Sequence, residues 1–508
     1  MGRPLMPQAQ VTVPEISVRL FKSMTRKPGD KGLPVSERYA GKDPFIDITP
    51  YLGDGSSVSI EKAVTQTGGG FTITLSDKPN YQSEAVGPVA ATTAIESVYG
   101  LVETMDAVEI RMWSGVGRKP DRLPVRMRGF VTSIRRTRRM GNDGKPVRQV
   151  IISGQDYAKI LQSYQLLYTQ SYPGAEPLLT GWALFEQFGE QAQNTMEGAD
   201  LIQYLLDHAI NPMLHKIIPE NSPMPREIVL DAQAKGRVGS AFQDQEGSVD
   251  DLLRSLLDVG LWNELFIDDR EDGVYLVWRP LPYFDLGTGE ATQEMTKAPD
   301  TVTVPDDWII SFDQARDDHE VYNYLWVTNQ QFDLVGDQYR KTEAMMSAER
   351  QSSELMTYPN TTPDFYGIRA MYANTVMSDS TYDKSGMDEA GQDAREGEMN
   401  DWIARRRLTL IEDNKDNVVM EHGSIQMKGG MARPDGSLIR GGDYIHALDG
   451  RLEWDAYAVT VSEQFVPYQM YLCTAQFIRG TGFAARVAIT GGSSPWLTDQ
   501  ANRGERNR

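Results

Sequence analysis

Apolar and polar residues alternate over short stretches in two separate parts of this chain, and apolar residues recur at helical spacing between them. From Asp43 to about Ile160 the period is two. Phe71, Ile73 and Leu75 share one face, as do Val108, Ile110 and Met112, then Val125 and Met127, then Val150 and Ile152. Several short strands in one run predict a small sandwich or barrel. Gly129 interrupts Val125-Arg126-Met127-Arg128-Gly129-Phe130-Val131 and predicts a bulge that bends the strand, and Asn142-Asp143-Gly144 predicts a hairpin turn. Ahead of this block, Val11, Val13, Ile16, Val18 and Leu20 alternate among Pro4, Pro7, Pro14, Pro28 and Pro34, which limits pairing to an edge strand or an extended arm. Residues 1–42 are read as an arm.

Residues 162–300 predict helices with a hairpin. Asp200 to Ile210 carries Leu201, Ile202, Leu205, Leu206 and Ala209 on one face and is closed by Asn211-Pro212. Val249, Leu252, Leu253, Leu256 and Leu257 follow at helical spacing, with Ser248 and Asp251 as a capping box and Gly260 at the left-handed position past the end. Leu261–Ile267 and Val274–Arg279 then flank an acidic turn ending Asp272-Gly273. Val302 to Val327 reads as extended. Residues 330–411 form a polar, acidic, Met-rich and partly helical insertion, most mobile near Asp379–Glu398 and ending in a short helix from Trp402 to Ile411. Residues 412–490 hold a second β-rich block, clearest from Ser424 to Val487, and residues 491–508 a flexible tail.

Composition narrows the class. At 508 residues the chain has room for about three domains. With 51 Lys and Arg against 71 Asp and Glu, its charge of −20 repels phosphate backbones unless a basic face is segregated, which argues against a sequence-reading DNA-binding protein. A single cysteine, Cys473, rules out a disulfide scaffold. The start of the sequence shows no secretory or myristoylation pattern and no stretch reaches membrane-span length, so a protein made in a reducing cytoplasm, with no membrane insertion, is expected.

Candidate chemistry is sparse. The five histidines, at 208, 215, 319, 422 and 446, show no metal-ligand spacing, so no metal and no cofactor is expected. Asp317-Asp318-His319-Glu320 reads as a solvated turn or strand end, and Asp268-Asp269-Arg270-Glu271-Asp272-Gly273 as a hairpin turn without the 1-3-5 acidic spacing of a calcium loop. No nucleophile elbow occurs, and Cys473 sits in an apolar strand context where a thiol is inert core. Gly68-Gly69-Gly70 precedes a strand, the wrong order for a phosphate cradle. The conspicuous charge feature is Arg135, Arg136, Arg138 and Arg139, beside Arg126 and Arg128 and across a turn from Lys145 and Arg148. It reads as a solvated hairpin, a protein contact or a phosphate-binding patch; the missing aromatics count against single-stranded nucleic acid, and an acidic protein partner is the expected contact.

Whole segments also look familiar. They include Phe130-Val131-Thr132-Ser133-Ile134, then Val150-Ile151-Ile152-Ser153-Gly154-Gln155-Asp156 opening a helix, and the 248–260 helix with Leu261-Trp262-Asn263-Glu264-Leu265-Phe266-Ile267-Asp268. Leu276-Val277-Trp278-Arg279-Pro280-Leu281-Pro282-Tyr283, Tyr366-Gly367-Ile368-Arg369, Gly441-Gly442-Asp443-Tyr444 and Tyr457-Ala458-Val459-Thr460-Val461-Ser462 complete the set. Over residues 43–330 and 365–485 this resembles the central baseplate hub proteins of contractile-tailed phages, the late-control-D-like tail proteins. The resemblance implies an α+β, β-rich fold with two small tube-attachment-like β-barrels, at 43–161 and at 301–329 with 412–490, around a mixed middle domain. It also implies a non-enzymatic virion protein, a homotrimer joining a hexameric tail tube to a trimeric spike around a DNA passage. Tape measure and baseplate wedge proteins would be further partners, with genomic DNA as passing cargo. Two rivals are a tail-associated cell-wall hydrolase and a host glycan-binding module, the latter using exposed aromatics such as Trp113, Trp402 and Trp496.

Overall fold

The structure, a computed structural model, describes residues 13–23, 45–77, 98–115, 119–140, 144, 146–166, 196–238, 247–329, 358–379, 389–429, 439–449 and 452–489. Within them the protein is α+β and β-rich, and thirteen strands join into one continuous sheet. No set of strands among the described residues closes into a barrel.

The sheet is built from two blocks of the same design. In chain order the first contributes Glu15–Phe21, Ser57–Ala63, Gly70–Ser76, Ala107–Trp113, Val125–Met140 and Pro146–Asp156. They lie side by side in the order second, third, sixth, fifth, fourth, first, with the two-residue strand Ile46–Asp47 beyond. The second contributes Thr301–Val304, Ile309–Ala315, Glu421–Lys428, Tyr444–Asp449, Leu452–Val466 and Met470–Gly480, in the same spatial order. Register repeats as well. The first residue of each fourth strand lies opposite the sixth residue of the fifth, Ala107 on Phe130 and Tyr444 on Tyr457. Each fifth strand bulges at its eighth residue, Thr132 or Val459. Each sixth strand has 11 residues and leads straight into a helix, Ala158–Ser163 or Gly482–Ile489. The likeness is not complete: Thr301–Val304, last in this order, runs parallel to its neighbour where Glu15–Phe21 runs antiparallel, and the fifth strand of the first block has a further bulge at Arg126, against its fourth strand, that the second block lacks.

The blocks are welded by a strand pair that crosses between them. Ser57–Ala63 runs antiparallel to Leu452–Val466, from Ala63 opposite Thr460 to Val58 opposite Phe465. Alternation explains why both accept a neighbour on each side: in Gly70–Ser76 and in residues 58–60 every second side chain is core, the rest polar. Phe465 and Tyr471 of the second block accordingly sit in the core of the first.

Between the blocks, helix Val249–Leu256 and the hairpin Asn263–Asp269 with Val274–Pro280 form the expected unit. The capping box is present: Ser248 Oγ accepts from the Asp251 amide at 3.1 Å while Asp251 takes the Ser248 amide at 3.0 Å. Leu252, Leu253, Leu256 and Leu257 are all buried. The helix ends a turn earlier than Gly260 implied, and Asp258 holds the left-handed conformation at φ 51°, because its buried carboxylate takes the Val376 amide and the Thr375 hydroxyl.

Several expectations need correction. Gly129 is not a bulge; the bulges fall three residues before it, at Arg126, and three residues after it, at Thr132, and a Cβ at Gly129 would lie 2.1 Å from the Gln155 carbonyl, so close approach of the neighbouring strand explains the glycine. Part of the presumed arm, Glu15–Phe21, is a strand with Val18 and Leu20 fully buried, its last four residues flanked on the outer side only by Ile46–Asp47 and a short turn. Asn211-Pro212 does not end the helix begun at Gly198. A π-helical turn, Leu206–Ile210, leads into helix Asn211–Ile217, and Pro212 sits in that helix's first turn where its missing N–H costs nothing. The helix expected from Trp402 to Ile411 runs Glu389–Asn414. Tyr324–Asn329, read as continuing the second β block, pairs instead with Ala370–Thr375. Residues 330–357 and 380–388, much of the expected insertion, the turn residues Asn142 and Asp143, and the 491–508 tail lie outside the described residues.

Candidate functional site

The acidic hairpin turn is a turn, as its sequence suggests, but it is plugged into a basic notch rather than solvated. Arg270 and Gly273 close it by a 2.9 Å backbone bond. Asp269 takes Lys62 at 2.5 Å and the Arg128 amide at 3.2 Å. Asp268 takes Arg270 at 2.8 Å and Arg440 at 2.5 Å, and Glu271 takes Arg111 at 2.9 Å and the Val125 amide at 2.6 Å. Arg128 donates to the carbonyls of Arg270 and Gly273 at 2.6 and 3.1 Å. One turn thus ties together both β blocks. Burial works against the charge on Asp268, but Arg440 and Arg270 hold its carboxyl well below the usual range. Asp156 is the opposite case: burial pushes it up to about 6 against the pull of Lys62 at 3.5 Å.

Beside the turn, Arg126 of the first block donates to both carboxylate oxygens of Glu463 in the second, at 2.8 and 2.6 Å, and to the Ile439 carbonyl at 2.8 Å. Tyr471 adds a hydroxyl at 3.1 Å to Glu463. The six arginines grouped by sequence therefore divide, and Arg126 and Arg128 are consumed inside the fold.

The other four form an exposed ribbon. Beyond Thr132 the strand Val125–Met140 is paired only with Pro146–Asp156, and Arg135, Arg136, Arg138 and Arg139 are all exposed. Arg138 stands opposite Arg148, also exposed; Lys145 lies outside the described residues. Arg136 has a partner, the buried Asp77 at 2.6 Å. No ion pair among the described residues engages Arg135, Arg138, Arg139 or Arg148. Such a cluster attracts an anionic surface.

The outward face across the weld is chemically different. Ser59, Thr72, Ser153, Ser462, Gln464 and Thr474 line a groove of about 630 Å³ there, with Glu61 among them. These groups hydrogen-bond water and carry almost no cation, so phosphate finds no counter-charge.

The remaining candidates fall away from chemistry. Cys473 is fully buried and its thiol is pushed well up by burial. Asp317, Asp318, His319 and Glu320 are exposed after a strand, with Asp318 held by Arg369 at 2.7 Å. Among the described residues no three His, Cys, Asp or Glu side chains gather to hold a metal, and no helix is long and apolar enough to cross a membrane. Of the aromatics considered for glycan, Trp402 is buried with its indole N–H on Thr375 at 3.1 Å, Trp113 is half-buried, and Trp496 lies outside the described residues. Sequence reasoning missed the duplicated strand order and the ionic weld; the alternation of charged and apolar residues in Val125–Val131 was the available signal for the second.

No protein-family model and no curated protein matches the chain. Among solved structures it is similar to a tail protein from Neisseria meningitidis MC58, at 10% identity and a TM-score of 0.45, covering 92% of this chain and 97% of that one. It is similar too to the 43 kDa tail protein of prophage MuSo2 from Shewanella oneidensis, at 9% identity and a TM-score of 0.44, covering 93% and 98%. A third likeness is to the prophage tail protein gp18 from Listeria monocytogenes EGD-e, at 10% identity and a TM-score of 0.37, covering 91% and 94%.

Proposed function

We propose that this protein is the central hub of a phage tail baseplate, a non-enzymatic virion component that acts as a homotrimer. The observation that carries this reading is the recurrence of one six-strand order, with matching register and bulge, in both β blocks of a single chain. A chain with two equivalent units presents six of them when three copies close into a ring, and it keeps threefold symmetry as a whole. That is what an adaptor between a hexameric tube and a trimeric spike requires. On this reading the six-strand blocks, from Glu15 to Asp156 and from Thr301 to Ala315 with Glu421 to Gly480, are the two tube-attachment domains, and the groove across the weld, lined by no Lys or Arg, faces the passage, where DNA slides without adsorbing. The exposed arginine ribbon meets an acidic protein surface, and tape measure and wedge proteins dock elsewhere on the ring.

Light scattering on the purified chain, alone and mixed with the trimeric spike, tests it. A trimer is expected, and a stable monomer or dimer in the presence of spike overturns the reading. Clearing of a cell-wall suspension by the purified chain would replace it with the hydrolase.

A further inference from the structure

The hub reading says that copies meet, and the duplicated strand order says where. Each block ends at its second strand and has a long fifth strand whose outer half reaches past its fourth. Inside the chain, the second strand of block one, Ser57–Ala63, covers residues 460–465 in the fifth strand of block two. The other two such edges are open. Ile309–Ala315, the second strand of block two, ends the sheet with all but its first residue exposed, including Ile310 and Phe312 at 49% and 38%. Among the described residues, 133–138, the outer half of the fifth strand of block one, are paired on one side only. Open edges with exposed apolar side chains are pairing sites that proteins cover.

We propose that Ile309–Ala315 of one copy pairs edge to edge with residues 133–138 of the next, repeating between chains the weld seen within one; this rests on the hub reading. The shared bulge fixes the equivalence, since Thr132 matches Val459 and Ser133 matches Thr460. Tracing register across each block makes Asp313 the counterpart of Ser59: Asp313 lies opposite Ser424, Ser424 opposite Gln476, and Gln476 opposite Thr460, while Ser59 reaches Ser133 through Thr72 and Ser153. Ser59 faces Gln464 in the chain, so Asp313 faces Thr137 of the next copy.

Charge supports the same pairing. At equivalent positions the two fifth strands carry opposite signs: Arg126 and Glu453, Arg128 and Asp455, Arg136 and Glu463. The intrachain weld is locked by Arg126 on Glu463. Its counterpart between copies is Glu453 on Arg136, the same bridge with donor and acceptor exchanged, and Glu453 is exposed with no ion pair among the described residues. The acidic run around the open edge, Asp306, Asp307, Asp313, Asp317, Asp318 and Glu320, would lie near Arg135, Arg138 and Arg139. A head-to-tail contact of this kind closes a ring when the rotation allows and otherwise grows a filament.

The test uses the full chain with Thr137→Cys and Asp313→Cys together; the native Cys473 is buried and silent. Mild oxidation should give covalent species up to three chains and no larger. Arg136→Glu and Glu453→Arg should each weaken the trimer about tenfold or more, and the two together should restore it, as complementary interface charges do. If light scattering records a trimer that neither crosslinks nor responds to the exchange, this contact is wrong and the hub stands. A crosslinked ladder running past three keeps the contact and removes the three-copy hub, and a chain that neither crosslinks nor assembles removes both.

Discussion

The strand Val125–Met140 is two environments in one element. Its first seven residues are buried, and there Arg126 and Arg128 spend their hydrogen bonds on Glu463, Glu109 and the carbonyls of the acidic turn. Every later residue except Ile134 and Thr137 is exposed, and Arg135, Arg138 and Arg139 have no counter-charge among the described residues. Residue type is the same in both halves. What differs is cover: Ala107–Trp113 and the second block flank the inner half, whereas a single strand flanks the outer. A buried arginine must be fully paired to be tolerated, so it becomes a lock; an exposed one is free to seek a partner.

The sharpest way to break this contrast is to remove one side of the lock. Arg126→Ala leaves Glu463 buried without its cation, and a urea melt should show a loss of about 3–5 kcal/mol. Replacing both residues by methionine should recover most of it, because the penalty is the orphaned charge rather than the missing attraction. A single-variant loss below about 1 kcal/mol would show that water reaches the weld and that the two halves are not different in kind.

Leu256→Ala probes the apolar support beneath the acidic turn. Leu256 is 2% exposed in the stripe that carries the hairpin, and the expected cost is about 2–5 kcal/mol. Below about 0.5 kcal/mol the stripe would not be core.

That stripe was legible in the sequence because everything specifying it is local: Ser248 and Asp251 are three residues apart, and the leucines follow a 3.6-residue period. The hairpin was legible for the same reason. The weld was not, since Arg126 and Glu463 are 337 residues apart and each looks like an ordinary surface charge. Two like β domains were implied by the resemblance, but their shared strand order, register and bulge position were not legible in the residues, with arginine in one copy of the unit where glutamate or aspartate stands in the other. The long helix Glu389–Asn414 escaped because its first ten residues, through Glu398, carry no aliphatic side chain larger than alanine to mark a stripe. Of the candidate site, the four ribbon arginines were found from charge density alone, but Arg126 and Arg128 were grouped with them because charge density does not report burial.

Asp413 offers a third case, a carboxylate that is buried like Glu463 yet unpaired like the ribbon. It is 4% exposed and neither side-chain oxygen has a hydrogen-bond partner among the described residues, although Arg479 and Thr292 stand near enough to favour the charge. Burial wins and pushes it up to about 6. A carboxyl raised in the folded state holds its proton longer there than in the unfolded chain, so stability falls as pH rises from about 4 to about 6. Asp413→Asn should flatten that slope and raise stability at pH 7 by at most about 3 kcal/mol. A variant less stable than the parent at pH 7 would mean that the carboxylate is paired after all.

The smallest effect on the isolated chain should come from the ribbon, and it should not be uniform. Arg138→Glu and Arg139→Glu change exposed, unpaired charges, and their urea midpoints should match the parent within about 0.5 kcal/mol. Arg136→Ala should cost more, about 1 kcal/mol, because Asp77 is buried and loses the cation that holds one of its oxygens. The ribbon is therefore tethered at its base by Arg136 and free at its tip. If Arg138 and Arg139 proved as costly as Arg136, the outer half would already be covered within the chain. If all three were silent, Asp77 would be solvated, and the boundary between lock and contact would move inward to Thr132.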